Sequence, residues 1–222
     1  MSYLLKVDHV TYACAKGTIE KWAWFHVEVE GGKLIQRIDD LDPNNPNSST
    51  KLWCIDYGDF GIALVEGIDR NEKSHVTLFA EMHGDHSIQH VAYDTRDLDK
   101  FIERLENYGF NTLGEAISKR DAYGMAKQVF CRGYSQLGPA ESQYAEYVQR
   151  PRSIHEEFEV TFDQKMMKGF YRQIEAAMAQ ETKTTFTDFS GMPSDWQVPT
   201  SEPKIPVYHN VEKEAEKELA LV

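Results

Sequence analysis

The sequence predicts an α+β protein made of two βαβββ modules, followed by a helix and an irregular tail. Three observations carry this prediction. The run Val7-Asp8-His9-Val10-Thr11-Tyr12 returns as Ile88-Gln89-His90-Val91-Ala92-Tyr93, a repeat of strand-forming residues with a histidine at the same place. An apolar stripe at helical spacing follows each copy. Three β-rich segments then follow each stripe, and strands in runs with one helix per unit make an α+β protein rather than an alternating parallel sheet. The modules take residues 1–86 and 87–151, and residues 152–222 form an extension that packs on the modules or on a partner subunit.

After the first strand, Ile19, Trp22, Ala23 and His26 take helical spacing, with Thr18 as cap and Gly31-Gly32 ending the unit. Strands are expected over 33–38, 51–57 and 61–66, and the Asp-, Pro-, Asn- and Ser-rich segment 41–50 reads as a loop. In the second module Leu98, Phe101, Ile102 and Leu105 form one stripe, with Thr95 or Asp97 as cap and Gly109 at the end. Strands are expected over 111–118, 127–132 and 144–149, with a loop over 133–142. Beyond Pro151 a helix is expected over 162–181, with Met166, Met167, Phe170, Tyr171 and Ile174 on its apolar face. Residues 193–206 should lie on the surface without regular structure, and 211–221 suit a short charged helix.

Composition excludes some functions. The net charge of −12 leaves no basic face for phosphate, so nucleic acid is not a partner. No apolar run is long enough to span a membrane, and Tyr3-Leu4-Leu5 is too short for the core of a signal peptide, so a cytoplasmic protein is expected. Cys14, Cys54 and Cys131 are odd in number and scattered, which suits reduced thiols. His83-Gly84-Asp85-His86 reads as a solvated turn.

The repeat also suggests chemistry. Repeat-related strands lie across a pseudo-twofold axis, so His9 and His90 can approach each other at its centre. Alternation along Tyr144-Ala145-Glu146-Tyr147-Val148-Gln149 puts Tyr144, Glu146 and Val148 on one face. The strand alone leaves open whether Glu146 or Tyr147 faces the core. A buried carboxylate needs a counter-charge, and a metal is one way to supply it.

At these residues the chain resembles the metal-binding half of the 4-hydroxyphenylpyruvate dioxygenase family, within the vicinal oxygen chelate superfamily. The resemblance covers roughly residues 6–181. It rests on Val7-Asp8-His9-Val10, on Lys73-Ser74-His75-Val76 leading into Ile88-Gln89-His90-Val91-Ala92, and on Gln128-Val129-Phe130. It continues in Ala145-Glu146-Tyr147-Val148-Gln149-Arg150 and in Phe170-Tyr171-Arg172-Gln173-Ile174-Glu175. It implies a vicinal oxygen chelate fold and a 2-His-1-carboxylate site of His9, His90 and Glu146 on non-haem Fe(II), with positions open for substrate and O2. Zn, Co, Ni or Mn are the alternative metals. It further implies catalytic roles for His75, Gln89 and Gln128, and a substrate pocket lined by Leu64, His75, Gln128, Phe130 and Met167.

The pocket departs from the family's pattern. His75 replaces a Gln, Leu64 replaces an Asn, and Met166-Met167 replaces an Asn-Phe pair, so an aromatic wall becomes a flexible thioether. The expected reaction is therefore that of an oxygenase acting with O2 on a small 2-oxo acid other than 4-hydroxyphenylpyruvate. Isomerases and lyases of the superfamily take a fourth ligand from the first module's last strand. Aligning that strand with Ala145-Glu146 puts Ala63 opposite Glu146, and Ala63 cannot bind metal. A metal-dependent isomerase or lyase and a non-catalytic binding protein of the same fold are the competing readings. Members of the family carry a further module pair, so self-association as a homo-oligomer is expected here.

Overall fold

The computed structural model describes residues 2–110, 112–121, 124–131, 142–150 and 192–202. The expected helices over 162–181 and 211–221, with Met166 and Met167, lie outside these residues.

The first module contains β1 (Leu4–Cys14), α1 (Ile19–Trp24) running into a π-helical turn (Phe25–Val29), β2 (Lys33–Ile38), β3 (Ser48–Asp56) and β4 (Gly61–Asp69). A connecting helix α2 (His75–His83) leads to β5 (Ser87–Thr95), α3 (Leu98–Asn107), β6 (Ile117–Asp121), β7 (Gly124–Phe130) and β8 (Tyr144–Gln149). The strands form one eight-stranded mixed sheet in the order β2-β3-β4-β1-β5-β8-β7-β6. Outward from its centre the order is β1-β4-β3-β2 on one side and β5-β8-β7-β6 on the other. β1 is parallel to β4, β5 is parallel to β8, and β1 meets β5 antiparallel. The repeat is thus a pseudo-twofold centred between β1 and β5.

Period-two alternation sorts the side chains between two faces. On one face of the first module Ala13, Leu52, Cys54, Ala63 and Val65 pack with Val76, Phe79 and Ala80 of α2. On the other, Trp53, Ile55, Ile62 and Leu64 pack with Ile19, Trp22 and Ala23 of α1. In the second module Val129, Cys131, Ala145 and Tyr147 lie with Leu98 and Phe101 of α3. Ala126, Phe130 and Tyr144 lie together on the opposite face.

α2 has no counterpart in the sequence reading. Every residue from His75 to Ala80 is buried, so the segment has no polar side against which a stripe can be recognised. Its start is nonetheless well capped. The Ser74 side chain accepts from the Val76 N–H at 3.1 Å, and Asp69 Oδ1 accepts from Ser74 N at 3.0 Å and Thr77 Oγ1 at 2.7 Å.

Other boundaries differ for local reasons. β3 begins at Ser48, inside the expected loop, because Ser48–Thr50 pair with Gly67–Asp69. β6 begins at Ile117 rather than at 111, with Thr112 making a single bridge to Cys131. Asp97, not Thr95, caps α3 by accepting from Lys100 N, while the Thr95 hydroxyl donates to Val148 O. His86 does not sit in a solvated turn. Its ring stacks between Tyr12 (4.2 Å) and Trp22 (3.7 Å) at positive φ, and its Nε2 lies 2.8 Å from that of His26. Trp196 and Val198 pack on the α1 side of the first module, and Glu202 N donates to Leu34 O, so this stretch of the tail covers its own chain. All three cysteines are buried thiols. Among the described residues no helix is long and apolar enough to cross a membrane.

Candidate metal centre

The sheet's register brings the repeat histidines together. One row of residues across it reads Gly61, His9, Ala92, Glu146 and Phe130. The next reads Ala63, Thr11, His90 and Tyr144. His9 and His90 therefore lie diagonally across the central strand pair, with Glu146 flanking them from β8. Their Nε2 atoms each lie 3.3 Å from Glu146 Oε2, and the three side chains are at most 3 % exposed. One donor atom from each falls within 4.8 Å of the others, a group that can hold a metal ion. The open question at Glu146 is thereby answered: it is buried, and Tyr147 is buried on the α3 face.

The spacing suits either an ion pair or donors that share one ion. Charge-assisted hydrogen bonds run to roughly 2.7–2.9 Å. Donors bound at right angles to one ion stand roughly 3 Å apart, given bonds of about 2.1 Å.

Ala63 holds in the first module the register position that Glu146 holds in the second: each faces the residue two beyond the module's histidine. Glu66 does not fill the gap. Its carboxylate accepts from Gly17 N, Ile19 N and Lys51 Nζ at the start of α1.

Around the histidines the two modules differ. The β1–β5 register shifts between Val7 and His9, and the neighbours Asp8 and His9 are both buried. Asp8 Oδ1 lies 2.7 Å from His9 Nδ1, and Arg150 reaches Asp8 through Nε (2.8 Å) and Nη2 (2.7 Å). Burial would raise the Asp8 pKa, but Arg150 and His9 outweigh it and hold the carboxyl well below its usual range. Ionised Asp8 only accepts, so Nδ1 of His9 carries the proton and Nε2 is turned toward Glu146. This carboxylate–histidine arrangement is the usual support of a metal ligand. Sequence reasoning did not select Asp8 and Arg150, although both stand inside the quoted motifs. Burial also works against a charged His9, yet Glu146 and Asp8 push its pKa up to about 9. Glu146 is brought down to about 2, mainly by His9 acting against burial.

The register also shifts between Thr11 and Tyr12, leaving Gln89 in the place corresponding to Asp8. Gln89 is fully buried, and among the described residues neither atom of its amide has a hydrogen-bond partner. His90 stacks on Tyr144 at 4.9 Å and meets Phe130 edge-on at 5.5 Å. Burial lowers its pKa, with Glu146 acting in the opposite sense.

The remaining expected residues divide. Gln128 and Phe130 are buried on β7, on the face that carries Glu146. His75, buried in the first turn of α2, is brought down to about 3 by burial and then by His90. The shift favours its neutral form. Leu64 is a correction: it packs under α1, on the face opposite Ala63 and Val65, because adjacent strand residues point to opposite sides. The positions on the centre's face are Ala63 and Val65. Met167 is outside the described residues.

No family model matches the chain. Two curated proteins align with it. Protein MelA of Shewanella colwelliana is 26% identical over 109 residues, 49% of this chain and 31% of that protein. Hemolysin VllY of Vibrio vulnificus (strain CMCP6) is 24% identical over 110 residues, 50% of this chain and 30% of that protein. The aligned part thus spans about a third of each relative's length. Among solved structures, a mutant of 4-hydroxymandelate synthase from Streptomyces coelicolor superposes with a TM-score of 0.61 at 16% identity, over 78% of this chain and 54% of the other. Methylmalonyl-CoA epimerase from Mycobacterium tuberculosis gives a TM-score of 0.49 at 21% identity, over 68% of this chain and 91% of that one. The 4-hydroxymandelate synthase superposition, together with the paired βαβββ order of the sheet, shows that the chain has the vicinal oxygen chelate fold.

Proposed function

We propose that this protein is a non-haem Fe(II) oxygenase that acts with O2 on a small 2-oxo acid other than 4-hydroxyphenylpyruvate. The observation that carries the reading is the convergence of His9, His90 and Glu146 in a buried centre whose fourth corner is Ala63. Three protein donors leave adjacent positions for a chelating acid and O2, whereas a fourth would suit isomerase chemistry. His9, His90 and Glu146 would hold the metal, and a ferrous ion bound there would supply the site for activating O2, with electrons drawn from the oxidative decarboxylation of the 2-oxo acid.

The chain's own groups have separable tasks. Asp8, fixed by Arg150, keeps the proton of His9 on Nδ1 and its Nε2 directed inward. Tyr144 and Phe130 pack against His90 and exclude water from that side. Gln128, buried on the face that carries Glu146, can donate to a keto or carboxylate oxygen, and Gln89, in the place corresponding to Asp8, can support His90. His75 is a neutral neighbour that can accept or donate one hydrogen bond.

The test is metal analysis after anaerobic purification, combined with O2 uptake across a panel of 2-oxo acids. About one iron per chain and O2 consumption with aliphatic 2-oxo acids is the expected result. Zinc or nickel without O2 uptake would move the protein to the isomerase class, and no metal at all would make it a binding protein. Efficient conversion of 4-hydroxyphenylpyruvate would overturn the substrate part alone.

A further inference from the structure

We infer that the hydroxyls of Thr11 and Tyr144 form a substrate subsite beside His90, built for a hydroxyl group next to the acid's chelating end. The inference rests on the metal reading above and narrows its substrate class to hydroxylated 2-oxo acids.

Both residues lie in the row of the sheet that carries His90, one on each side of it: Thr11 on β1 and Tyr144 on β8. Thr11 is two residues from His9 and Tyr144 two from Glu146, so each shares its strand face with a ligand. Thr11 is 1 % exposed and Tyr144 2 % exposed, yet among the described residues neither hydroxyl has a hydrogen-bond partner. A buried hydroxyl without a partner is costly and uncommon, and here two of them flank one ligand.

The pseudo-symmetry argues that this is not a requirement of the fold. The counterpart of Tyr144 in the first module is Gly61, opposite His9, and the counterpart of Thr11 is Ala92. The row of His9 thus carries no hydroxyl at either place, and the module packs there without one. A phenol and a secondary alcohol can together accept and donate to a neutral oxygen group. Neither carries charge to hold a second carboxylate.

The experiment uses the Co(II)-loaded protein, with binding followed by the visible cobalt bands. Pyruvate and hydroxypyruvate are the probes, since they differ by one hydroxyl on the carbon beside the keto group. Hydroxypyruvate should bind roughly tenfold more tightly than pyruvate, the yield of about one good buried hydrogen bond. In Tyr144→Phe and Thr11→Val that ratio should fall toward one while Co(II) affinity stays at the wild-type value. A second readout needs no metal: with no ligand, each variant should melt at or above the wild-type temperature, because a group held without a protein partner has been removed. Equal binding of the two acids by wild type, a ratio that survives both substitutions, or a fall of several degrees in melting temperature would overturn the inference. If wild type takes up no Co(II), the metal reading fails separately, and the melting comparison alone then decides whether these hydroxyls are structural.

Discussion

At the residue scale, the candidate centre includes groups behind His9 as well as the three candidate ligands. Asp8 and Arg150 form a buried pair, so removing one partner alone strands a charge. The double variant Asp8→Asn/Arg150→Gln avoids this and should still weaken metal binding by about 10–100-fold, the usual effect of losing a ligand's support. Competition titration with a coloured chelator measures it, and an unchanged affinity would remove Asp8 from the site. Proton competition gives a second prediction. Without metal, Glu146 and Asp8 raise the His9 pKa to about 9, so below that pH a metal ion must displace a proton from His9. Apparent affinity should therefore rise about tenfold per pH unit through neutrality and level off near the His9 pKa. The convergence of His9, His90 and Glu146 was legible from the repeat and the motifs. Asp8 was not, because its partner Arg150 stands 142 residues away in the sequence and no local pattern pairs the two. Leu64 was put in the pocket by the resemblance alone, whereas alternation from Ala63, set opposite Glu146, already places it on the other face.

At the element scale, α2 is the piece that the sequence concealed. It is held against β4 at Gly67, where an added Cβ would stand 2.1 Å from Thr77 Oγ1 and 2.9 Å from the Ser74 side chain. Gly67→Ala should push α2 away from the sheet and cost about 1–3 kcal/mol. It should also disturb the metal centre, since α2 carries His75. Urea denaturation checks the first effect, and a change in the Co(II) spectrum checks the second. β8 and α3, by contrast, appear within two residues of where their patterns put them. α3 has one apolar side and one solvated side, the condition under which helical periodicity is readable. β6 and β7 were displaced by several residues because turn residues between short strands do not specify register.

At the scale of the whole molecule, the paired module order was visible in the repeat, while the packing between His86 and the α1 face was not. His86 sits in a ring stack with Tyr12 and Trp22, and burial followed by His26 lowers its pKa to about 3. Its folded pKa is below the unfolded value, so the unfolded chain binds more protons at intermediate pH. Stability should then fall as pH drops from about 6.5 toward 3, by at most about 1.4 kcal/mol per pH unit from this group. His86→Asn tolerates the positive φ and removes the titration. Its urea midpoint should be lower than wild type at pH 8, yet decline less steeply in acid. Parallel declines would show that His86 does not drive the loss.

The pseudo-twofold seam has one more consequence. His9 comes from one module, His90 and Glu146 come from the other, and the Asp8–Arg150 pair crosses the same boundary. An ion bound there ties the two halves together, so metal should act as a clasp whose loss lets them open independently. Amide hydrogen exchange would register this as a change of cooperativity: a single slow class spanning β1 and β5 with metal, and two classes of different rates without it.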